Sequence, residues 1–169
     1  MILLSSCSSK TVADADTLVG FHASSPIAAE KSWRDPGAGR DFDVALSRWT
    51  RNGSGTLEVT NDCSENRHCV GINLKCTSLT LSHAGRTLVQ GRLTAGTTQI
   101  TAPGIACRAV FDAPSDVLHL FASQAVFAEC YADLFGRARA GDIVIDDPRL
   151  IRDPALERLG QALAVSHRG

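Results

Sequence analysis

Short runs of alternating apolar and polar residues, extending from Phe42 to about Phe121, constrain the fold of this chain more than any other feature. Gly, Asn, Asp or Pro interrupts the runs at a spacing of roughly 8–12 residues, which is typical of all-β domains. Because successive side chains of a strand point to opposite faces, this pattern predicts strands with one buried face. The candidate strands are GTLEVTN, HCVGINLKC, SLTLS, TLVQGRL, TTQITA, ACRAVFD and DVLHLFA. We therefore predict an antiparallel sandwich or barrel, with turns at HAGR and LTAG.

Beyond Ala122 the apolar residues recur with the period of a helix. In SQAVFAECYADLFGRARAG we expect Ser123 to be the N-cap and Gly136 to end the helix. A short extended piece, DIVIDD, follows. In DPALERLGQALAVSHRG, Asp153 is expected to cap a helix that has Pro154 in its first turn. Its apolar face is a predicted dimer interface that docks on the preceding helix or on the copy of that helix in a second chain; it carries Leu156, Leu159 and Leu163.

Composition and charge argue against several classes of function. The chain has 169 residues, the length of one domain, and a formal net charge of −1 with no basic stripe, so autonomous nucleic-acid binding is not expected. No window approaches the ~18 apolar residues of a membrane-spanning helix. The start, MILLSSCSSK, lacks the basic and apolar regions of a signal peptide. The six cysteines are diluted through the chain, so we interpret them as reduced thiols and expect a cytoplasmic protein.

A zinc site is the first candidate for chemistry. Cys63, His68, Cys69 and Cys76 are all residue types that bind zinc, and four ligands are what a structural site requires. However, the adjacent His68 and Cys69 would point to opposite faces of a strand, and no tight ligand pair is present. Buried or half-buried thiols on a strand are the preferred interpretation. We predict no metal and no cofactor.

Two histidines follow the alternation of the candidate strands. His68 shares parity with Val70 and Ile72, and His119 alternates with Val117, so both are expected to face the interior. An inward histidine is either a satisfied core residue or a polar anchor in a ligand cavity, and both interpretations stay open. The chain has no G-x-S-x-G turn for a nucleophilic serine, no phosphate loop and no G-x-G-x-x-G.

The stretch GTTQITAPGIACRAVF resembles the frame of the second motif of metal-binding cupins, G-x5-P-x-G-x2-H-x3-N. Gly96 and Gly104 hold the positions of the two motif glycines. Cys107 stands where the family has a metal-binding histidine, and no HxH followed by a Glu occurs between Gly53 and Glu65. The resemblance implies a cupin-like strand-turn-strand unit without the metal centre.

A longer resemblance begins at APSDVLHLFASQAVFAECYADLFGR and continues in DPRLIRDPALERLGQAL. Upstream, CSENRHCVGINLKC, a GR…GRL hairpin and a P-G turn precede DVLHLF in the same order. Together these segments resemble the amino-terminal effector-binding and dimerisation domain of AraC-type transcriptional regulators. The likeness runs from about Ser47 to Ala164.

This resemblance implies a mainly β (α+β) chain: a cupin-like antiparallel β-barrel or jelly roll followed by two or three C-terminal helices. We assign residues 1–35 to a loose N-terminal arm, 36–122 to the barrel and 123–169 to a helical dimerisation segment. The implied function is to sense an unknown small-molecule effector and to form a homodimer. The helix-turn-helix domain of such regulators has no counterpart here, so direct DNA binding by this chain is not expected.

The candidate ligand-binding residues, chosen from strand parity and aromatic character, are Trp49, His68, Cys107 and His119. Trp49 is included because an aromatic face is a common stacking surface, although a core position suits it equally. Two alternatives remain. A small metal-dependent cupin enzyme would need about three converging ligands. A stand-alone interaction module would pair with a full-length regulator through its last helices. We do not expect an enzyme.

Overall fold

Two β-sheets and two helices make up the part of the chain that the structure, a computed structural model, describes: residues 27–36, 43–61 and 66–166. The strands are β1 Ala28–Ala29, β2 Val44–Arg51, β3 Leu57–Asn61, β4 Arg67–Asn73, β5 Thr77–His83, β6 Arg86–Leu93, β7 Thr97–Thr101, β8 Cys107–Phe111, β9 Ser115–Ser123 and β10 Ile151–Arg152. The helices are α1 Gln124–Phe135 and α2 Pro154–Ser166. The predicted mainly β chain with helices after the strands is confirmed.

The strands are divided between a six-stranded sheet, ordered β1-β2-β9-β4-β7-β10, and a four-stranded sheet, ordered β3-β8-β5-β6. Every described pair is antiparallel except β1 with β2. No hydrogen-bonded closure joins the two sheets into one barrel within the described ranges. All seven candidate strands are present. At HAGR, Ala84 and Gly85 have φ values of 48° and 76°, which suit the tight turn of the β5–β6 hairpin.

Strand register aligns the side chains on the inner face of the six-stranded sheet into rows. One outer row is largely apolar: Ala45, Phe121, Cys69 and Thr101. The opposite outer row contains Trp49, Val117 and Asn73. The row between them, which we call the polar row, consists of Ser47, His119, Gly71 and Gln99. The interior therefore has polar groups at its centre, between two rows that are mostly apolar.

The main hydrophobic core fills the space between the two sheets. Aromatic contacts are central to it: the rings of Trp49 and Phe111 have centroids 4.8 Å apart, and Trp33 meets Phe111 edge-on at 6.4 Å. The remaining buried members come from the four-stranded sheet: Leu79, Leu81, Leu93, Cys107 and Ala109. Burial of this apolar surface is what holds the sheets face to face.

Residues 27–36 do not behave as a loose arm. β1 pairs in parallel with β2, and the backbone N–H of Glu30 donates to the carbonyl of Arg48. Trp33 and Arg34 are only 6% and 4% exposed. The prediction of a loose arm is therefore wrong for residues 27–35, because this segment pairs with β2 and buries Trp33 and Arg34 in the interior. Residues 1–26 lie outside the described residues.

The helix boundaries follow the local signals. The hydroxyl oxygen of Ser123 accepts from the N–H of Val126, and Gly136 ends α1 with a left-handed φ of 64°. The Asp153 carboxylate accepts from the N–H groups of Ala155 and Leu156 at the start of α2. Both predicted N-caps and the predicted stop are confirmed. The predicted extended piece DIVIDD forms no regular element and pairs with no strand; β10 instead pairs with β7. No helix in the described ranges is long and apolar enough to cross a membrane.

The three leucines of α2 differ in exposure. Leu156 and Leu163 are half-buried, whereas Leu159 is 45% exposed. α2 packs on β4 and β7 of its own chain, where Gly160 lies against Ile72. The predicted dimer interface of Leu156, Leu159 and Leu163 stays a prediction, with Leu159 its most exposed member. The helical period puts the three leucines on one stripe, but α2 packs on the sheet through Gly160 and Ala164, which leaves Leu159 at the exposed edge of that stripe.

Candidate functional site

A cavity of about 40 Å³ lies between the two sheets. At roughly 10–15 Å³ for each water, it has room for about three water molecules. The four-stranded sheet gives it an apolar wall that includes Leu79, Leu81 and Phe111. The other wall is polar and consists of Arg34, Asn73, Thr97, Gln99 and His119. An apolar pocket with a few convergent polar groups is the usual form of a small-molecule site.

Arg34 is the cationic group of this cavity. Its Nη1 donates to Thr101 Oγ1 at 2.8 Å, and its Nη2 donates to Gln99 Oε1 at 2.6 Å. The guanidinium carbon lies 4.5 Å from the centre of the Trp33 ring, in cation–π contact. These contacts place a positive charge in the interior, although both hydrogen-bond acceptors are neutral oxygens.

The backbone of Arg34 is held in the left-handed region, with φ 59°. For a residue with a side chain this conformation costs about 1–2 kcal/mol. Two hydrogen bonds hold it: its N–H donates to Glu30 Oε2 at 2.7 Å, and its carbonyl accepts from Asn61 Nδ2 at 3.1 Å. Strain of this kind is often found where a side chain is positioned for binding.

Glu30 joins the N-terminal segment to the polar row. Its Oε1 accepts from the Ser47 hydroxyl at 2.6 Å and from Nδ1 of His119. Burial lowers the pKa of His119, and the nearby Arg34 lowers it further, while Glu30 raises it. Because a carboxylate only accepts, the neutral ring carries its proton on Nδ1. Its Nε2 is then a bare acceptor.

Gly71 opens the space that this histidine faces. A Cβ on Gly71 would lie 3.4 Å from His119 Cδ2 and 3.6 Å from Nε2. In the polar row, Gly71 lies between His119 and Gln99, so its missing side chain leaves a gap there. The cavity exists partly because the register puts a glycine at this position.

Three of the polar wall residues hold a buried nitrogen that has no hydrogen-bond partner among the described residues. These atoms are Arg34 Nε, Asn73 Nδ2 and Gln99 Nε2. All three residues are at least nine-tenths buried and line the cavity. A buried donor without an acceptor costs about 1–3 kcal/mol. The arrangement therefore suits an occupant with acceptor oxygens.

Among the residues chosen from the sequence, His119 lines the cavity and His68 does not. The inward position of His68 is wrong: its Nε2 accepts from the N–H of Ile145 at 3.0 Å, and its ring lies 4.4 Å from that of Phe127 in α1. The outer face of β4 is covered by α1 and by the segment around Ile145. Since both faces of β4 are covered, the alternation of apolar residues does not show which face points to the interior. Burial on the outer face also lowers the pKa of His68.

Trp49 and Cys107 face inward, but they belong to the core that surrounds the cavity. Trp49 packs on Phe111, and the Cys107 thiol lies 3.6 Å from Thr101 Oγ1. Neither contributes to the cavity wall. The structure thus brings only one of the four chosen residues to the cavity.

The sequence reasoning missed Glu30, Arg34, Gly71, Asn73 and Gln99. The first two lie in a stretch with no strand or helix period, which offers no local signal. Gln99 alternates with Thr97 and Thr101, so the inner face of its strand is polar. We assigned inner faces from alternating apolar residues, and that criterion does not identify a polar inner face. The gap at Gly71 becomes apparent only from the register.

No group of three or more His, Cys, Asp or Glu residues in the described ranges is arranged to hold a metal ion. Of the four residues considered for zinc, Cys63 lies outside those ranges. In the remaining part of the chain, none of the cysteines forms a disulfide: Cys69, Cys76, Cys107 and Cys130. Comparisons of the chain with protein-family models, with curated proteins and with solved structures found no match.

Proposed function

We propose that this chain is the small-molecule sensing and dimerisation domain of an AraC-type transcriptional regulator, and that its two sheets form a cupin-type jelly roll. The strand orders β2-β9-β4-β7 and β3-β8-β5-β6 support the second part, because a jelly roll is an eight-stranded pair of sheets with Greek-key connections. The ordered resemblance from Ser47 to Ala164 supports the first part. A cytoplasmic location follows from this role.

The observation that carries the proposal is the cavity between the two sheets, whose polar wall holds three unpartnered donors, one of them on Arg34. Such a wall has little structural value, since replacing its polar residues with apolar side chains of similar shape would remove the cost of the orphaned groups. An effector with acceptor atoms would satisfy those donors. The free-energy cost of leaving them unpaired therefore supports a ligand in this cavity.

The cavity is connected to both ends of the described chain. Arg34 and Glu30 bring the N-terminal segment to one wall, and Leu150 lines another. Leu150 directly precedes β10, which is followed by α2. A ligand that changes the packing of these residues shifts the populations of the arrangements of both segments. This is the coupling that a sensing domain requires.

The proposed homodimer uses the exposed apolar residues that follow the strands. In α1, Leu134 and Phe135 are 78% and 61% exposed, and in α2 Leu159 is 45% exposed. Exposed large apolar side chains are typical of an association site. Of the three leucines chosen from the sequence, this surface retains Leu159 only.

Analytical ultracentrifugation together with a thermal-shift screen of small polar molecules tests the proposal. We expect a dimer, at least one compound that raises the melting temperature, and a monomer for Leu159→Glu. The matched control is Leu57→Glu, which adds the same charge on β3, at a leucine that is also exposed. A monomeric chain that binds none of the compounds would contradict the proposal.

A further inference from the structure

We propose that the ligand of the cavity is a short-chain monocarboxylate. Its carboxylate group would contact Arg34, Asn73 and Gln99, and its carbon chain would lie on the apolar wall of the four-stranded sheet. This inference rests on the proposed sensing function and names the class of effector for it.

The charge of Arg34 is the first argument. The hydrogen-bond acceptors of its guanidinium group are the neutral oxygens of Thr101 and Gln99. The Glu30 carboxylate accepts from Ser47, from His119 and from the backbone N–H of Arg34. A buried cation is best compensated by an anion that it also hydrogen-bonds. A ligand carboxylate supplies both.

The unpartnered atoms of the wall are the second argument. Arg34 Nε is a donor, and the amide nitrogens of Asn73 and Gln99, two residues that line the cavity, are donors that have no partner among the described residues. An ionised carboxylate has about four acceptor positions and no donor, so it matches three donors. An amine or ammonium ligand brings further donors and leaves these atoms unsatisfied. The three donors therefore favour an anionic ligand, while His119 Nε2 is an acceptor on the same wall.

The size and the opposite wall are the third argument. The cavity of about 40 Å³ accommodates the equivalent of about three waters, and hence a ligand of roughly three to five non-hydrogen atoms. Leu79, Leu81, Leu93 and Phe111 face it from the four-stranded sheet. An inorganic oxyanion has no apolar group to bury against this wall, whereas the methyl or ethyl group of a short acid gains free energy by burial there.

The test is a calorimetric titration of the full chain with propionate, propionamide and propylamine at constant ionic strength. We expect saturable binding of propionate, weaker binding of propionamide and none of propylamine. Loss of a charged hydrogen bond should make Arg34→Met bind propionate at least about tenfold more weakly. The matched control is Arg108→Met, which removes a half-exposed arginine that pairs with Glu58 on the surface; its affinity should be unchanged.

A second pair of variants guards against misfolding of Arg34→Met. Gly71→Ala makes only ordinary van der Waals contacts with His119, so we expect it to fold and to lose propionate binding because the cavity is filled. Gly55→Ala is its control, since a Cβ there meets no atom within 4 Å. Circular dichroism of all four variants verifies the fold.

Several results would overturn the inference. Propionamide binding as tightly as propionate, propionate binding that survives Gly71→Ala, or equal losses in Arg34→Met and Arg108→Met would each exclude a carboxylate site in this cavity. A different result would be that a neutral compound binds, that Gly71→Ala abolishes this binding, and that no carboxylate binds. The inferred ligand class would then be wrong, while the proposed sensing function would stand. If no compound of any class binds and the chain is monomeric, the proposed function itself fails.

Discussion

The carboxylate of Glu30 accepts a hydrogen bond from the imidazole of His119, and both side chains are almost completely buried, with exposures of 0% and 1%. The two residues are separated by 89 positions in the chain. This contact ties the segment that precedes β2 to the central strand β9 of the six-stranded sheet. The N-terminal segment is therefore a wall of the cavity.

Removal of the Glu30 side chain should destabilise the protein. Glu30→Ala leaves the Ser47 hydroxyl, the His119 ring and the Arg34 N–H without their acceptor. A buried donor that loses its acceptor costs about 1–3 kcal/mol, so we expect a loss of at least this size in urea unfolding. Glu58→Ala, which removes a surface carboxylate, should change the stability little. Equal effects of the two variants would contradict the role of Glu30.

The stability of the protein should fall as the pH drops below about 6.5. Burial holds the pKa of His119 below its ordinary value of 6.5, against the opposing effect of Glu30. Below pH 6.5 the unfolded chain therefore takes up a proton that the folded chain does not, and stability decreases until the pH reaches the lowered pKa. Above pH 6.5 this contribution to stability is constant.

The variant His119→Gln tests the assignment. It removes the titrating group but keeps a donor for Glu30, so the free energy of unfolding should depend less on pH between neutrality and acid. His68→Gln should also flatten the curve, because burial lowers the pKa of His68 as well. An unchanged pH dependence in the double variant would show that other groups cause it.

Substitution of Gly96 should be costly. Its φ is 78°, and a Cβ at this position would overlap the carboxylate of Glu157 in α2. A residue other than glycine in this conformation loses about 1–2 kcal/mol, which is the loss that we expect for Gly96→Ala in chemical denaturation. Gly55→Ala lacks both problems and should be nearly neutral. A neutral Gly96→Ala would mean that the turn before β7 is differently arranged.

The leucines of α2 should separate stability from association. Leu156 is half-buried, so Leu156→Ala should cost about 1–2 kcal/mol, below the ~2–5 kcal/mol of a fully buried leucine. Leu159→Ala should change the stability of the monomer by less than about 0.5 kcal/mol but weaken the proposed dimer. Unfolding at low protein concentration and sedimentation at high concentration measure the two effects. The reverse pattern would place α2 in the opposite orientation.

Local signals predicted the elements because their causes are local. An alternating run needs only its own side chains to indicate a strand, and the turn at Ala84 and Gly85 needs only its own backbone preference. Ser123 and Asp153 cap their helices by contacts with residues two or three positions away. These interactions are complete within a short segment, so a single sequence reveals them.

The inner face of β4 illustrates the limit of that reasoning. His68, Val70 and Ile72 form the more apolar set, yet they face the helices, while Gly71 and Asn73 face the cavity. A strand that is covered on both sides has two buried faces, and alternation alone does not rank them. His68 lies on the face of β4 that α1 covers, so of the two histidines only His119 lines the cavity.

The sequence alone specified seven of the ten described strands, the turns, the caps and the two C-terminal helices, but not β1, β2 or β10. Tertiary packing decided the cavity, because its polar wall joins residues that are far apart: Arg34 meets Gln99 across 65 positions and Glu30 meets His119 across 89. Such contacts depend on strand register and on the insertion of an irregular segment, and neither has a periodic pattern. The physical reason is that the positions of these buried polar groups depend on contacts between distant segments, which no short stretch of sequence contains.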